Sequence, residues 1–318
     1  MNEFGLIGAY FARPARKALL GVGDDCALLA SPPAGEVLAV SVDMLVEGRH
    51  FFADVDPRAL GHKALAVNLS DLAAMGARPA WFTLALALPR VDEDWLAAFS
   101  SGLFALADAA GIELVGGDTT RGPLTVSIQV AGHVPADGAL RRAGARAGDD
   151  VWVSGHLGAA AMAVRHRCGD IVLDDDVLAH CAGRLDWPVP RMLLGERLRA
   201  HASAALDVSD GLVGDLTHIC TQSGLGADLE WARIPVDPVL RRCGEVERRQ
   251  AALSGGDDYE LCFTARPGER QAIEALSQLL ALPLTRIGVM RSGDGVAVRD
   301  TDGCRLETGR SFDHFSSP

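Results

Sequence analysis

Gly116-Gly117-Asp118-Thr119-Thr120-Arg121 follows directly on the apolar run Ile112–Val115. The run reads as a buried strand, so the motif stands at a strand end. Glycine lets backbone approach a ligand and frees N–H groups for phosphate oxygens. The aspartate beside it offers a hard oxygen of the kind Mg²⁺ takes while it bridges to substrate phosphates. Turn chemistry is the competing explanation for any single Gly-Asp pair.

Working outward, the elements on either side are legible. Asp92 caps a helix with Trp95, Leu96, Phe99, Leu103 and Leu106 on one side, ending at Gly111. Trp81–Leu88 reads as a buried strand, and Leu124–Val134 as another. Asp56-Pro57 is an N-cap followed by proline, opening a helix through Ala64, Leu65, Leu69 and Leu72 to Gly76. Strands are expected at Cys26–Ala30 and Glu36–Val42, divided by the turn Ser31-Pro32-Pro33-Ala34-Gly35, with a helix near Glu3–Phe11. Ala136–Asp150 has no apolar period. The boundaries expected are therefore a first domain over 1–137, a linker over 138–150 and a second domain over 151–318. In the second, strands are expected at Val151–Ser154, Ala204–Val208, Tyr259–Thr264 and Thr285–Val289. Helices are expected from Gly158 and around Val177–Arg184, Arg191–His201 and Gly211–Gln222. Strands and helices alternate in both halves, so the class is α/β or α+β.

The Gly-Asp theme recurs at Gly23-Asp24-Asp25-Cys26, Ser41-Val42-Asp43, Asn68-Leu69-Ser70-Asp71, Asp207-Val208-Ser209-Asp210-Gly211 and Gly255-Gly256-Asp257-Asp258-Tyr259-Glu260. Asp43, Asp118 and Asp207 abut apolar strands, a better site position than a polar run. Asp174-Asp175-Asp176 reads instead as a helix cap, and Gly148-Asp149-Asp150 as a linker turn. Carboxylates gathered at one site repel by several kcal/mol at an effective dielectric of about 20, so such a cluster implies cations. With metal present it becomes a phosphoryl-transfer site needing no lysine. Arg121 and Arg142 are the nearby cations; spacing alone leaves Arg142 a solvated linker charge.

Composition narrows the classes. There are 29 Asp and 13 Glu against 30 Lys plus Arg, a net charge of −12, which argues against a nucleic-acid partner. Lys17 and Lys63 are the only lysines and neither follows a glycine, which excludes a Walker A loop. Protein-kinase signatures and a Gly-x-Ser-x-Gly elbow are absent, and no third glycine completes a dinucleotide fingerprint. Seven scattered cysteines without a CxxC pair fit a reducing cytoplasm, with Cys220 and Cys262 as small core residues. No signal peptide is expected, and the longest apolar stretch falls far short of the ~20 residues that span a bilayer.

In this order, the motifs resemble the thiamine-monophosphate kinase family of the aminoimidazole-ribonucleotide-synthetase-like superfamily. The resemblance rests on Gly23–Leu28, Asn68–Ala77, Gly116–Pro123, Asp207–Leu212 and Ser254–Leu261, and on the closing Phe312-Asp313-His314-Phe315. It implies a two-domain fold. The N-terminal sheet would pair across a homodimer into a shared barrel, and an α/β sandwich would form the C-terminal half. It implies ATP-dependent phosphorylation of thiamine monophosphate to thiamine diphosphate by direct in-line transfer with several Mg²⁺ ions. By position, the metal ligands would be Asp25, Ser41, Asp43, Asp71, Asp118, Asp207 and Asp210, with Asp24 a near neighbour. Gly117, Asp118, Arg142 and Ser209 would contact ATP; His50, Asp257 and Phe312 would contact thiamine monophosphate. Here the resemblance reverses the reading of Arg142 from its spacing. No catalytic base is implied, because the acceptor phosphate is already ionised. Two positions depart from the family: Asp257 stands where Glu is common, with Asp258 able to share its role, and Val42 stands where a hydroxyl residue is common. The rival readings are another superfamily enzyme (a selenide-activating dikinase, an aminoimidazole ribonucleotide synthetase or a hydrogenase-maturation dehydratase) and a non-catalytic, cation-stabilised binding protein. The first lacks its usual cysteine before Gly23, and the maturation protein's C-terminal cysteine is replaced by Phe-Ser-Ser-Pro.

Overall fold

The computed structural model describes residues 3–309. The chain forms two compact units: residues up to 72 with 77–139, and residues 73–76 with those from 140 onward. Phe312 and the rest of the closing motif lie outside the described residues.

The first unit runs α1 (Glu3–Tyr10), β1 (Glu36–Val46), α2 (Pro57–Ala74), β2 (Arg78–Leu88), α3 (Glu93–Ala110), β3 (Glu113–Arg121) and β4 (Thr125–Pro135). The sheet order is β1-β4-β2-β3, with β2 and β3 parallel and the other pairs antiparallel. The caps act as the sequence suggests. Asp56 accepts from the Arg58 N–H at 2.9 Å and Asp92 from the Trp95 N–H at 3.1 Å. Gly111 closes α3 in the left-handed conformation at φ 63°. The two long helices approach closely: a Cβ on Gly102 would lie 1.8 Å from the Arg58 carbonyl oxygen. Phe82, Leu84 and Leu86 of β2 and Val126, Ile128 and Val130 of β4 are buried. On the opposite face the sheet is open, and Val40, Val42 and Met44 of β1 are 53%, 61% and 56% exposed.

Two expectations fail here. Cys26–Ala30 is not a strand; only an isolated bridge pairs Leu28 with Leu20. The strand expected to stop at Val115 instead continues through the whole Gly116–Arg121 motif, because β2 supplies a parallel ladder that overrides the turn preference of Gly and Asp.

The second unit runs β5 (Asp150–Ser154), α4 (Ala159–Arg167), α5 (Asp175–Asp186), α6 (Met192–Leu198), β6 (Ala202–Val208), α7 (Leu212–Ser223), β7 (Gly226–Glu230), α8 (Glu245–Ser254), β8 (Glu260–Ala265), α9 (Arg270–Leu280), β9 (Leu284–Arg291) and β10 (Val296–Arg299). Its six strands lie in the order β10-β7-β9-β5-β8-β6. Alternate residues feed two cores, one on each face of the sheet. Val151, Val153, Ala204, Leu206 and Val208 pack with Leu212, Leu216 and Ile219 of α7. Trp152, Ala205 and Phe263 pack with Leu194 and Leu198 of α6 and Ile273 of α9. Burial on both faces explains why these strands read as unbroken apolar runs. Cys220 and Cys262 are core residues, and burial pushes the Cys220 thiol up to about 11, far from reactive. Among the described residues no helix is long and apolar enough to cross a membrane.

Asp150 corrects the linker-turn reading. It is 1% exposed, opens β5, and accepts from Arg270 Nε at 2.6 Å, Arg270 Nη2 at 2.8 Å and Arg286 Nη1 at 2.8 Å. Burial pushes its carboxyl up, but the two guanidinium groups outweigh it and hold it below the usual range. Asp150→Ala is expected to destabilise the unit by about 2 kcal/mol, below the usual cost of breaking a buried pair because both arginines reach solvent. A group depressed in the fold stabilises above its unfolded pKa of about 3.9 and loses that contribution as pH falls through the folded value. Thermal melts should therefore show the gap between wild type and variant closing below about pH 4. A gap that stays constant with pH would contradict this role. Asp174 stands at the N-cap of α5 with Asp175 and Asp176 in its first turn, as expected, but it makes no side-chain cap bond and, with Asp176, pairs with Arg242.

Candidate active site

Three candidate residues of the first unit converge because of two periodicities. Ser41 and Asp43 lie two apart on β1, so both face α2. Asn68 and Asp71 lie three apart on α2, one above the other. Ser41 Oγ donates to Asp71 Oδ2 at 2.5 Å, and the Asp43 N–H donates to Asn68 Oδ1 at 3.0 Å. Asn68 is itself held by its Nδ2, which donates to the Ala64 carbonyl at 2.9 Å. It is 1% exposed and fixes the β1–α2 register at the site. Its motif is visible in the sequence, but its role there is not.

His50 sits just beyond β1. Its Nδ1 accepts from the Val46 N–H at 3.0 Å, which leaves Nε2 as the nitrogen that carries the proton in the neutral ring. Asp25 is exposed in the segment before β1, and its N–H donates to Asp24 Oδ1 at 2.8 Å. Val42 faces away from Ser41 and Asp43, opposite Gln129 on the open face.

Asp118 is set by a bulge. Phe82 pairs with Leu114 but Thr83 with Gly116, so Val115 is an extra residue in β3. The insertion reverses the alternation beyond it. Asp118 then pairs with Ala85, in the row of Ser127 and Met44 on the open face, whereas Asp43 shares the row of Ile128 and Leu84. Gly117 allows this crossing: a Cβ there would lie 1.9 Å from the Leu84 carbonyl oxygen.

In the second unit the candidates occupy two adjoining loops. Asp207 is the penultimate residue of β6, at 8% exposure, and Ser209-Asp210-Gly211 leads into α7. Oδ2 of Asp215, in the first turn of α7, accepts from the N–H groups of Ser209, Asp210 and Gly211 at 3.0, 3.0 and 3.1 Å. Burial pushes the Asp215 carboxyl up to about 6; the three N–H donors oppose that rise and the Asp210 charge adds to it. Nothing in the sequence singles out Asp215, because an acid in a first helical turn is a common dipole effect. Asp257 adopts φ 65° and donates its N–H to the Ser209 carbonyl at 2.9 Å. Asp258, the neighbour expected to be able to share its role, is engaged inside the unit. It is 6% exposed, both its oxygens accept from the Gly158 N–H, and burial raises its carboxyl well above the ordinary range. Beneath it, the fully buried Glu260 binds Ser154 Oγ at 2.6 Å, Arg191 Nε at 2.7 Å and Arg184 Nη2 at 3.1 Å. That network had no sequence signal, because its members lie up to 106 residues apart. Arg142 is exposed beside β6, placed by the bond from the Ala205 N–H to the Arg141 carbonyl at 3.0 Å.

Among the described residues, no group of three or more His, Cys, Asp or Glu is arranged to hold a metal ion. The donors in place are oxygen pairs, Ser41 with Asp71 above all. They suit Mg²⁺, which is held by one or two carboxylates and completes its shell with water and substrate phosphates, so a closed protein cage is not required.

Comparison with known proteins follows the same lines. Residues 23–134 match the family described as AIR synthase related protein, N-terminal domain, and residues 146–301 match its C-terminal domain. A thiamine-monophosphate kinase of Salmonella typhimurium is 46% identical over 324 residues, 100% of this chain and 99% of the relative. The crystal structure of thiamine-monophosphate kinase from Stenotrophomonas maltophilia K279a has a TM-score of 0.84 and 51% identity, over 90% of this chain and 92% of that chain. A structure of AaThiL complexed with AMPPCP and TMP has a TM-score of 0.78 and 29% identity, over 92% of each chain. Full-length identity of this order, over both halves of the fold, shows that the chain belongs to the thiamine-monophosphate kinase family of the AIR synthase related proteins.

Proposed function

We propose that this kinase transfers the γ-phosphoryl group of ATP to thiamine monophosphate, giving ADP and thiamine diphosphate. The observation that carries the reading is the end-to-end match to kinases of that name, with a neighbour of the same fold holding AMPPCP and TMP together. A terminal phosphate oxygen of the acceptor attacks the γ-phosphorus as the bond to the β–γ bridging oxygen breaks. ADP takes up that electron pair. The acceptor is already anionic at neutral pH, so no side chain has to remove a proton, and we assign no base.

The chain's part is positioning and charge. Asp25, Ser41, Asp43, Asp71, Asp118, Asp207 and Asp210 are the residues that would hold Mg²⁺. Bound there, Mg²⁺ would neutralise the phosphates of two anionic substrates and the charge on the transferring group. Gly117 keeps β3 close to β2 and so sets where Asp118 stands. Arg142 and Ser209 contact the nucleotide. His50, with Nε2 as its donor, and Asp257 bind the acceptor, with Phe312 completing that subsite. Asp257 holds its place through its backbone bond to Ser209.

A homodimer is part of the proposal. β1 is an edge strand, and Val37, Leu38, Val40, Val42 and Met44 are all at least 41% exposed along it. Along the open face of this edge the row Leu38, Val40, Val42 and Met44 carries no charge; natural monomers avoid such an edge, and a second copy of the sheet would cover it. The cytoplasm is the compartment proposed, since all seven cysteines are free.

The test is ADP release measured with ATP and Mg²⁺, with and without thiamine monophosphate. ADP is expected only when both Mg²⁺ and that acceptor are present. Tight nucleotide binding without turnover would favour the non-catalytic binding protein, and absence of ADP with this acceptor would sink the kinase reading.

A further inference from the structure

We propose that Asp215 is a positioning residue that locks the nucleotide loop Ser209–Gly211 and, through the Ser209 carbonyl, the acceptor loop carrying Asp257, so that the two subsites keep one shared geometry. The proposal rests on the assignment of Ser209 and Asp210 to the nucleotide and metal and of Asp257 to the acceptor.

Three successive N–H groups aimed at one point form the kind of concavity that elsewhere binds an anion. Here the chain's own carboxylate fills it. A single oxygen of Asp215 takes all three, and the residue is 6% exposed. Bonds to an ionised acceptor are the stronger class, so the peptide planes of residues 209–211 have little freedom to rotate. With those N–H groups turned toward Asp215, the Ser209 carbonyl accepts the Asp257 N–H at 2.9 Å. Two residues on, the Tyr259 N–H donates to the Val208 carbonyl at 2.8 Å. Gly256 lies so close that a Cβ on it would sit 2.2 Å from the Ser209 oxygen. Asp257 and Tyr259 both adopt positive φ, at 65° and 50°, a conformation that persists only when the surroundings dictate it. Asp215 touches neither substrate in this scheme; it acts through the loop backbone.

The experiment compares Asp215→Ala and Asp215→Asn with a core variant of the same helix, Leu216→Ala. Supporting residues behind a metal or substrate ligand are commonly worth about 10- to 100-fold. Asp215→Ala is expected to raise KM for ATP and for thiamine monophosphate together, each by about 10-fold or more, and to raise the Mg²⁺ concentration needed for half-maximal rate. Asp215→Asn, which keeps one acceptor oxygen, should recover much of the loss. Leu216→Ala should lower the melting temperature without moving either KM. In hydrogen exchange, the amides of 209–211 and 257 should lose protection together in the Ala variant. If that variant does not fold, the same exchange and KM shifts, smaller in size, are read in Asp215→Asn. A KM change for one substrate only, or equal shifts in Leu216→Ala, would overturn the proposal. A wild type without thiamine-monophosphate-dependent turnover would instead refute the kinase reading, while joint exchange of 209–211 and 257 would still decide the loop lock.

Discussion

Asp71→Asn is expected to lower kcat with thiamine monophosphate by on the order of 10³-fold while leaving the melting temperature within a few degrees of wild type. The loss corresponds to about 4 kcal/mol, the several kcal/mol that charge stabilisation by a bound cation supplies. The fold should survive because the replacement is isosteric. Asp71 Oδ2 accepts a bond from Ser41 Oγ, and an asparagine carbonyl oxygen can accept the same bond. The anchor of α2 to β1 through Asn68 and the Asp43 N–H is untouched. What disappears is the negative charge that a divalent cation needs. Steady-state kinetics over a range of Mg²⁺ and a thermal melt check both halves of the expectation. Turnover near wild type would remove Asp71 from the proposed ligand set.

The second large effect concerns β1. Val40→Lys combined with Val42→Lys is expected to convert a dimer into a monomer, weakening association by on the order of 10³-fold or more. Both side chains stand on the open face of the sheet, more than half exposed. Both point away from Ser41 and Asp43; Asp118 shares their face but stands on β3, at the opposite edge of the sheet with β4 and β2 between. Lysine on an edge strand is the usual device that blocks strand-to-strand association. Burying unpaired ammonium groups costs several kcal/mol per ion, which sets the magnitude. Light scattering should give twice the chain mass for wild type and the chain mass for the variant. A monomeric wild type would contradict the dimer directly.

The legible parts of the fold were those with local chemistry at their ends. Asp56-Pro57, Asp92 and Gly111 marked α2 and α3 because caps act within one turn of the chain. β7, with Asp228 and Glu230 among its five residues, and β10, only four residues long, were invisible because the sheet, not their composition, makes them strands. α8 was missed for a similar reason: only Ala251, Ala252 and Leu253 near its end are buried, so it carries no long apolar stripe. Asp150 looked like a turn because its partners, Arg270 and Arg286, lie 120 and 136 residues away.

The candidate site divides in the same way. Ser41 with Asp43 could be read from strand alternation, and Asn68 with Asp71 from helical spacing. Their meeting depends on α2 crossing β1, which no local pattern reports. The bulge at Val115 that turns Asp118 to the open face has no sequence signature beyond the glycines beside it. Asp215 was visible as a residue but not as a function, because its partners are backbone N–H groups. The identity of the acceptor came from resemblance rather than from side-chain chemistry. The acidic composition, 29 Asp against 13 Glu, is only partly a site signature, since Asp150, Asp174 and Asp176 are engaged in ion pairs elsewhere.

The most direct test follows the phosphorus itself. In ³¹P NMR, chain, ATP, Mg²⁺ and thiamine monophosphate should convert the single monophosphate resonance into two coupled diphosphate resonances, as the ATP signals give way to those of ADP in equal amount. If the monophosphate resonance persists while ATP is consumed to orthophosphate, the proposed transfer to thiamine monophosphate is wrong.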